Sequence, residues 1–333
     1  MKKHFIKTLI LLITLSLILT GCGSTPSNSD SDSIEKVFKI GISQFVEHPA
    51  LDGARDGFID GLKEAGFEDG KNIDIILENA QADFPTTQTI ASKLVGENVD
   101  LILAIATPSA QSAANATKDI PIIVTAVTDL VDAGLVKSYE KPETNVTGTT
   151  DLNPVREQLE LLKEILPEAK NLGIIYNAAE PNSVLQVNIA KAAAEDLDLE
   201  ILEASVANTS EVNQAVQTLA RKVDAIYTPT DNTVASAISA MVKAANDANI
   251  PIIGAERGHV EGGALATIGI DYYLLGKQTG LMAARILNGE NPAEIPVEGF
   301  KDLKLVVNKN SADILGLIIP EAVLSRADEI IEK

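Results

Sequence analysis

Two short polar loops carry the residue types that best fit contact with a charged ligand. The first reads Thr107-Pro108-Ser109-Ala110 and the second reads Thr230-Asp231-Asn232. Each loop precedes an alanine-rich predicted helix, with Thr107 as the expected N-cap of the first. Free N–H groups at a helix start attract an anion and the Thr107 and Ser109 hydroxyls add donors, so the first loop suits a carboxylate. Asp231 suits a cation such as an ammonium group. Ordinary helix capping is the alternative interpretation of both loops.

Further candidate ligand contacts follow other predicted strands. An acid in such a place pairs with a cation, whereas an aromatic ring either stacks on a flat ligand or belongs to the core. The acidic candidates are Asp129, Asp151, Glu256 and Asp271, and the others are Phe45, Glu47, Tyr176, Asn182 and Ser183. One or two acids together with one hydroxyl-rich anion site describe a receptor for a zwitterion, which is an amino acid.

The two loops belong to a segment that occurs twice. Residues 99–129 and 223–259 both start with Val-Asp and an apolar run, turn through a Thr-Pro loop, continue as a helix and reach Ile-Pro-Ile-Ile. Generic α/β patterning is the alternative to duplication. A duplicated strand–loop–helix–strand unit predicts two similar lobes, each with a polar loop at the carboxyl ends of its strands, where open parallel sheets bind ligands. Two such loops facing each other make a clamp.

Strands of nearly continuous Val, Ile and Leu alternate with helices along the chain, which predicts an α/β fold with two Rossmann-like lobes of parallel sheet flanked by helices. A turn-rich passage through Pro142 and Gly148 separates the halves, and residues 234–248 are expected to form one helix. The expected N-terminal lobe is 36–148 plus about 271–290, and the C-terminal lobe is 149–270 plus about 291–333.

Gly53, Gly57 and Gly61 recur every four residues, which indicates close packing on the sheet or on a second helix.

The N-terminal segment predicts export and lipid anchoring. Basic residues precede a mostly Leu and Ile run, and residues 19–22, Leu-Thr-Gly-Cys, match a bacterial lipobox. We expect a signal peptide over 1–21, lipidation of Cys22 and a flexible polar spacer over 22–35. The alternative, a transmembrane anchor, is disfavoured because the apolar run is shorter than the ~20 residues that span a bilayer. The expected location is extracytoplasmic, on the membrane of a Gram-positive cell.

Charge and motifs exclude several classes of function. The formal net charge of −20 argues against binding to nucleic acid and against direct adsorption to anionic membranes. His48 has no Cys or second His nearby, so no metal is expected. No cofactor is expected either, and no enzyme motif such as a Walker loop, GxSxG or HExxH is present.

Several longer strings resemble one family, the ABC substrate-binding proteins that include tryptophan- and tyrosine-binding lipoproteins. The strings are GARDGFIDGLKEAGF (53–67), IATPSAQSA (105–113), AGLV (133–136), VTGTTD (146–151), YTPTDN (227–232), DYYLLGKQTG (271–280) and NKNSADILGLIIP (308–320). The resemblance implies a type I periplasmic-binding-protein-like fold whose lobes are joined by a multi-crossing hinge. It also implies ligand contacts at Thr107 to Ala110, Thr149 to Asp151, Asn182–Ser183 and Thr230 to Asn232.

The same resemblance implies a free aromatic amino acid, namely tyrosine, phenylalanine or tryptophan, as ligand and ABC permease subunits as partners of a monomer. A surface adhesin or ligand sensor is the alternative function. A transcriptional regulator is disfavoured because a signal peptide stands where a DNA-binding domain would be, and because the charge is wrong.

Overall fold

The computed structural model describes residues 36–332, so the predicted signal peptide, Cys22 and the spacer lie outside the described residues. Within the described part, no helix is both long enough and apolar enough to cross a membrane.

The first sheet is entirely parallel. Its six strands lie in the order β11-β5-β4-β3-β1-β2. Their bounds are β1 Phe38–Gln44, β2 Ile73–Asn79, β3 Leu101–Ile105, β4 Ile122–Val127, β5 Val146–Thr150 and β11 Glu298–Gly299. Every residue of β3 and β4 is buried, as expected for strands covered by helices on both faces.

The second sheet repeats this design with seven strands in the order β13-β12-β10-β9-β8-β6-β7. Strand β12 pairs antiparallel with β10, and β13 runs parallel to β12, so these two strands run opposite to the other five. The bounds are β6 Asn171–Tyr176, β7 Glu200–Ser205, β8 Ala225–Thr228, β9 Ile252–Gly254, β10 Ala266–Gly269, β12 Lys304–Asn308 and β13 Glu329–Ile331. The predicted class, two helix-flanked lobes of parallel sheet, is therefore confirmed.

Helices occupy the connections between strands. They are α1 Pro49–Glu64, α2 Phe84–Gly96, α3 Thr107–Ala116, α4 Val155–Ile165, α5 Pro181–Asp196, α6 Val212–Leu219, α7 Asn232–Ser236, α8 Ile238–Asp247, α9 Arg257–Glu261, α10 Tyr272–Leu287, α11 Lys309–Leu315 and α12 Glu321–Leu324. The single helix expected over 234–248 is two helices, because the backbone at Ala237 leaves helical geometry (φ −109°, ψ 11°). Strand β5 lies in the passage that the sequence indicated as turns.

The chain changes sheets after β5, after β10 and after β11. The lobe boundary expected at residue 148 falls inside β5, and β11, expected in the C-terminal lobe, pairs with β5 of the first sheet. We propose lobe boundaries near residues 151, 270 and 301 instead.

Helices α1 and α10 pack backbone against backbone. A Cβ on Gly57 would overlap the Tyr273 carbonyl oxygen, and one on Gly276 would overlap that of Ala54. The glycine spacing therefore serves a helix pair, the second of the two predicted partners. This packing brings the starts of α1 and α10, at His48 and Tyr272, to the same edge of the first lobe.

Candidate functional site

A narrow cavity lies between the lobes, at the carboxyl ends of strands from both sheets. Its lining residues are His48, Leu51, Ala126, Thr128, Asp151, Asn182, Thr230, Asp231, Asn232, Ala235, Glu256 and Tyr272. Six of the sequence candidates are among them, namely Asp151, Asn182, Thr230, Asp231, Asn232 and Glu256.

Side chains of the two lobes meet around this cavity. His48 Nε2 of the first lobe lies 3.3 Å from Asn232 Oδ1 of the second. Gln186 Nε2 on α5 donates to Thr128 Oγ1, which follows β4, at 3.3 Å. The lobes are therefore in contact over the cavity, and the site is closed.

Two acids present unpartnered oxygens to the cavity. Asp151 Oδ2 accepts the Tyr272 hydroxyl at 2.6 Å, but its buried Oδ1 has no partner. Glu256 Oε1 lies 3.4 Å from His259 Nε2, whereas its Oε2 is buried without a partner. Burial raises the pKa of Asp151 to about 6 and that of Glu256 to about 8. A cation between them would recover the free energy lost when these carboxyls are desolvated.

Asp231 lines the same cavity, but backbone groups use both of its oxygens. Oδ1 accepts from Val234 N at 2.8 Å and so caps α7, and Oδ2 accepts from Asn177 N at 2.6 Å. Burial, followed by the nearby Glu180 charge, raises its pKa to about 7. This geometry matches the capping alternative for the loop.

The polar side chains of the first loop, unlike Asp231, have no hydrogen-bond partners among the described residues. Ala106, not Thr107, is the N-cap of α3, and Thr107 is the first residue of the helix. Thr107 Oγ1 and Ser109 Oγ are buried and have no hydrogen-bond partner. Ala106 (φ 77°) and Ala126 (φ 54°) hold strained left-handed backbone at the ends of the paired strands β3 and β4. Strain of this kind concentrates at ligand sites, and Ala126 itself lines the cavity. Ala110, the loop's last predicted contact, is fully buried.

The aromatic candidates lie away from the cavity lining. Phe45 is buried against Phe84, with ring centroids 5.2 Å apart, so it belongs to the core. Tyr176 donates its hydroxyl at 2.9 Å to Glu203 on β7, an edge strand of the second sheet. Glu47 is exposed. Neither ring stacks on the cavity.

The remaining candidates also make structural contacts. Asp129 Oδ1 accepts from the backbone of the turn that follows it, and Asp271 Oδ1 caps α10 through Leu274 N at 3.0 Å. Thr149 Oγ1 shares a 2.8 Å hydrogen bond with Thr279 Oγ1. Ser183 is buried beside Asn182, whose Oδ1 is a further unpartnered oxygen at the cavity.

Three residues at the site were not predicted from the sequence to belong to it. Tyr272 orients Asp151, His48 bridges the lobes, and Glu180 holds the loop that carries Asn232. The sequence offered two signals for them. Tyr272 belongs to an aromatic pair that follows a predicted crossing between the lobes, and Glu180 precedes the Pro that starts α5. Among the described residues no group could hold a metal ion, and burial lowers the pKa of His48 to about 4.

A parallel two-lobe fold closed over a cavity with buried, unpartnered polar atoms defines a solute-binding protein. A family profile described as ABC transporter substrate binding protein matches residues 39–331. The chain belongs to this family, which confirms the resemblance found in the sequence.

Three relatives are informative. The tyrosine-binding protein of Clostridioides difficile is 48% identical over 322 residues, covering 95% of this chain and 93% of that protein. A Streptococcus ABC domain in complex with L-Trp is 42% identical, covers 88% of this chain and 99% of its own, and superposes with a TM-score of 0.86. The ligand-free, open form of a Clostridium difficile substrate-binding protein with adhesive properties is 49% identical over 89% of this chain and 100% of its own, yet its TM-score is 0.68.

Proposed function

We propose that the protein captures a free aromatic α-amino acid between its lobes and delivers it to the permease of an ABC importer. The observation that carries this proposal is the set of buried, unpartnered polar atoms. Asp151 Oδ1 and Glu256 Oε2 face the cavity, and the Thr107 and Ser109 hydroxyls lie at the start of α3 next to the cavity strand β4.

The two kinds of group match the two ends of an amino acid. Asp151, oriented by the Tyr272 hydroxyl, would accept the ammonium, with Glu256 as its neighbour. The start of α3 would bind the carboxylate through its free N–H groups and the two hydroxyls. Asp231, whose oxygens are already used, would hold the second loop rather than the ammonium.

The aromatic class is supported by the relatives, one named for tyrosine and one complexed with L-Trp. A ring would lie against the apolar part of the lining, at Leu51, Ala126 and Ala235, with the Tyr272 ring also in the lining. The higher TM-score against the Trp complex than against the open form, despite similar identities, supports a closed, ligand-ready arrangement.

The family match supports delivery to a permease from outside the cytoplasm. Lipidation of Cys22, with the polar spacer as tether, would hold a monomer at the membrane surface. Globomycin treatment of expressing cells should lead to accumulation of the unprocessed precursor. Normal processing in its presence would contradict the lipid anchor.

A calorimetric screen of the twenty amino acids tests the proposal, with protein purified without refolding. We expect tyrosine, tryptophan or phenylalanine to bind at roughly micromolar Kd, about −8 kcal/mol, and glycine or glutamate to bind far more weakly. Absence of binding at millimolar concentration for all twenty would contradict it.

Adhesion is a second candidate function, favoured by the 49% identical relative with adhesive properties. Coating beads with the soluble part of the chain and counting bound host cells would test it. Binding equal to that of beads coated with an unrelated acidic protein would exclude it.

A further inference from the structure

Glu180 is the most completely engaged buried acid of the second lobe. It immediately precedes Pro181, at the start of α5, and is fully buried. Within residues 36–332, no lysine or arginine forms an ion pair with its carboxyl group. Its hydrogen-bond donors are amide or hydroxyl groups, and most of them belong to residues 230–233, the second polar loop extended by Thr233.

Each carboxyl oxygen of Glu180 receives two short hydrogen bonds from that loop. Oε1 accepts from Thr233 N at 3.0 Å and Thr233 Oγ1 at 2.8 Å. Oε2 accepts from Asn232 N at 3.0 Å and Asn232 Nδ2 at 2.6 Å. A long contact of 3.3 Å from Asn182 Nδ2 completes the set.

These contacts determine how the Asn232 amide is oriented. Because Nδ2 is held by Glu180, Oδ1 must point the other way, across the cavity, where it lies 3.3 Å from His48 Nε2. A carbonyl oxygen only accepts, so His48 must carry its hydrogen on Nε2. Burial lowers the pKa of His48 to about 4, which keeps the ring neutral and leaves Nδ1 without a hydrogen.

We propose that Glu180 is a positioning residue for ligand binding, which sets the Asn232 amide as the acceptor for His48 and thereby holds the two lobes closed over the ligand. The proposal rests on the proposed function. It concerns the persistence of the closed form, so its signature is the rate at which bound ligand leaves.

Glutamine at position 180 cannot replace glutamate. Its NH₂ group would meet donors at one of the two oxygen positions, so either the Asn232 amide turns over or the loop moves. In both cases His48 loses its acceptor. Glu180→Gln should therefore weaken ligand affinity about tenfold, through faster dissociation at an unchanged association rate.

A double-mutant cycle with His48→Ala tests the route of the effect. If Glu180 acts through Asn232 and His48, Glu180→Gln should change the affinity of the His48→Ala protein less than about threefold. A full tenfold effect in that background, or no effect in the wild type, would overturn the proposal. Glu203→Gln is the matched control, since Glu203 accepts from Tyr176 outside the cavity, and its affinity should equal that of wild type.

A measurement on the wild-type protein covers the case in which Glu180→Gln does not fold. In ligand-saturated protein, ¹⁵N NMR of the His48 ring should give the tautomer with hydrogen on Nε2. The Nδ1–H tautomer, or a protonated ring at neutral pH, would overturn the proposal. If wild type binds no amino acid, the proposed function itself fails. If it binds but the tautomer or the cycle disagrees, only the role of Glu180 fails.

Discussion

The two copies of the repeated segment place their polar loops at the same point of each lobe, but the loops use their polar atoms differently. In the first loop, Thr107 Oγ1 and Ser109 Oγ are buried and have no partner. In the second, the Asp231 carboxylate is fully used by Val234 N and Asn177 N.

This difference distinguishes polar atoms that are available to a ligand from polar atoms that stabilise the fold. A buried polar atom without a partner costs free energy that a ligand can recover, whereas a paired one stabilises its own loop. Under the proposed function, the first loop would contact the ligand and the second would stabilise the fold. The ammonium would then bind Asp151, whose Oδ1 has no partner, rather than the acid of the repeat.

The largest expected effect is a loss of ligand affinity on substitution of Asp151, the acid with an unpartnered oxygen. Asp151→Asn should weaken amino-acid binding at least ~30-fold, since breaking a buried charge pair costs roughly 2 kcal/mol or more. Titration calorimetry at constant pH measures it, with thermal unfolding to verify the fold. An affinity within threefold of wild type would show that the ammonium lies elsewhere.

Loss of Asp231, whose oxygens are paired with backbone groups, should lower the stability of the fold rather than the affinity for the ligand. Asp231→Ala removes the α7 cap and leaves Asn177 N–H without its partner, and we expect a loss of about 2 kcal/mol in unfolding free energy. Urea denaturation of the ligand-free protein measures this. Unchanged stability together with lost binding would reverse the assignment of the two loops.

Removing the hydroxyls of the first loop is the mirror experiment. Thr107→Val combined with Ser109→Ala should lower affinity roughly tenfold by removing donors to the carboxylate. The unfolding free energy of the ligand-free protein should stay the same or rise, because two unpartnered buried hydroxyls disappear. A clear loss of stability would mean that these hydroxyls serve the fold.

The smallest effect is a pH dependence that the hydroxyl loop cannot produce. Burial raises the pKa of Glu256 from 4.5 to about 8 and that of Asp231 from 3.8 to about 7, so the folded protein keeps protons that the unfolded chain releases. Their contribution to stability is complete at low pH and is lost as pH rises through 7 to 8. His48 and His259, with pKa values lowered to about 4 and 3, titrate below 6.5. Unfolding free energy should fall by about 1 kcal/mol between pH 7 and 8, and an increase would contradict this.

Most of the fold could be predicted from the sequence. Continuous Val, Ile and Leu runs mark strands buried on both faces, and the strand–helix alternation then implies parallel sheets. Strand β5 was not predicted because the preceding turns and Gly148 (φ 148°) are untypical of a strand. In the structure this glycine lies directly against the Val124 backbone.

The site was less predictable than the fold. Sequence reasoning found the acids at strand ends, but whether an acid is free or already paired depends on backbone N–H groups from distant elements, as with Asn177 N on Asp231. The roles of Glu180, His48 and Tyr272 arise only when α1, α5 and α10 meet, over separations that no local pattern records.

Under the proposed function, the amino-acid ammonium binds Asp151 and the carboxylate binds the Thr107–Ser109 loop. A crystal structure with bound ligand tests these two contacts most directly. We expect the ammonium nitrogen about 3 Å from Asp151 Oδ1 and a carboxylate oxygen about 3 Å from Thr107 Oγ1 or Ser109 Oγ. An ammonium bound to Asp231, with the first loop free of ligand contacts, would contradict it.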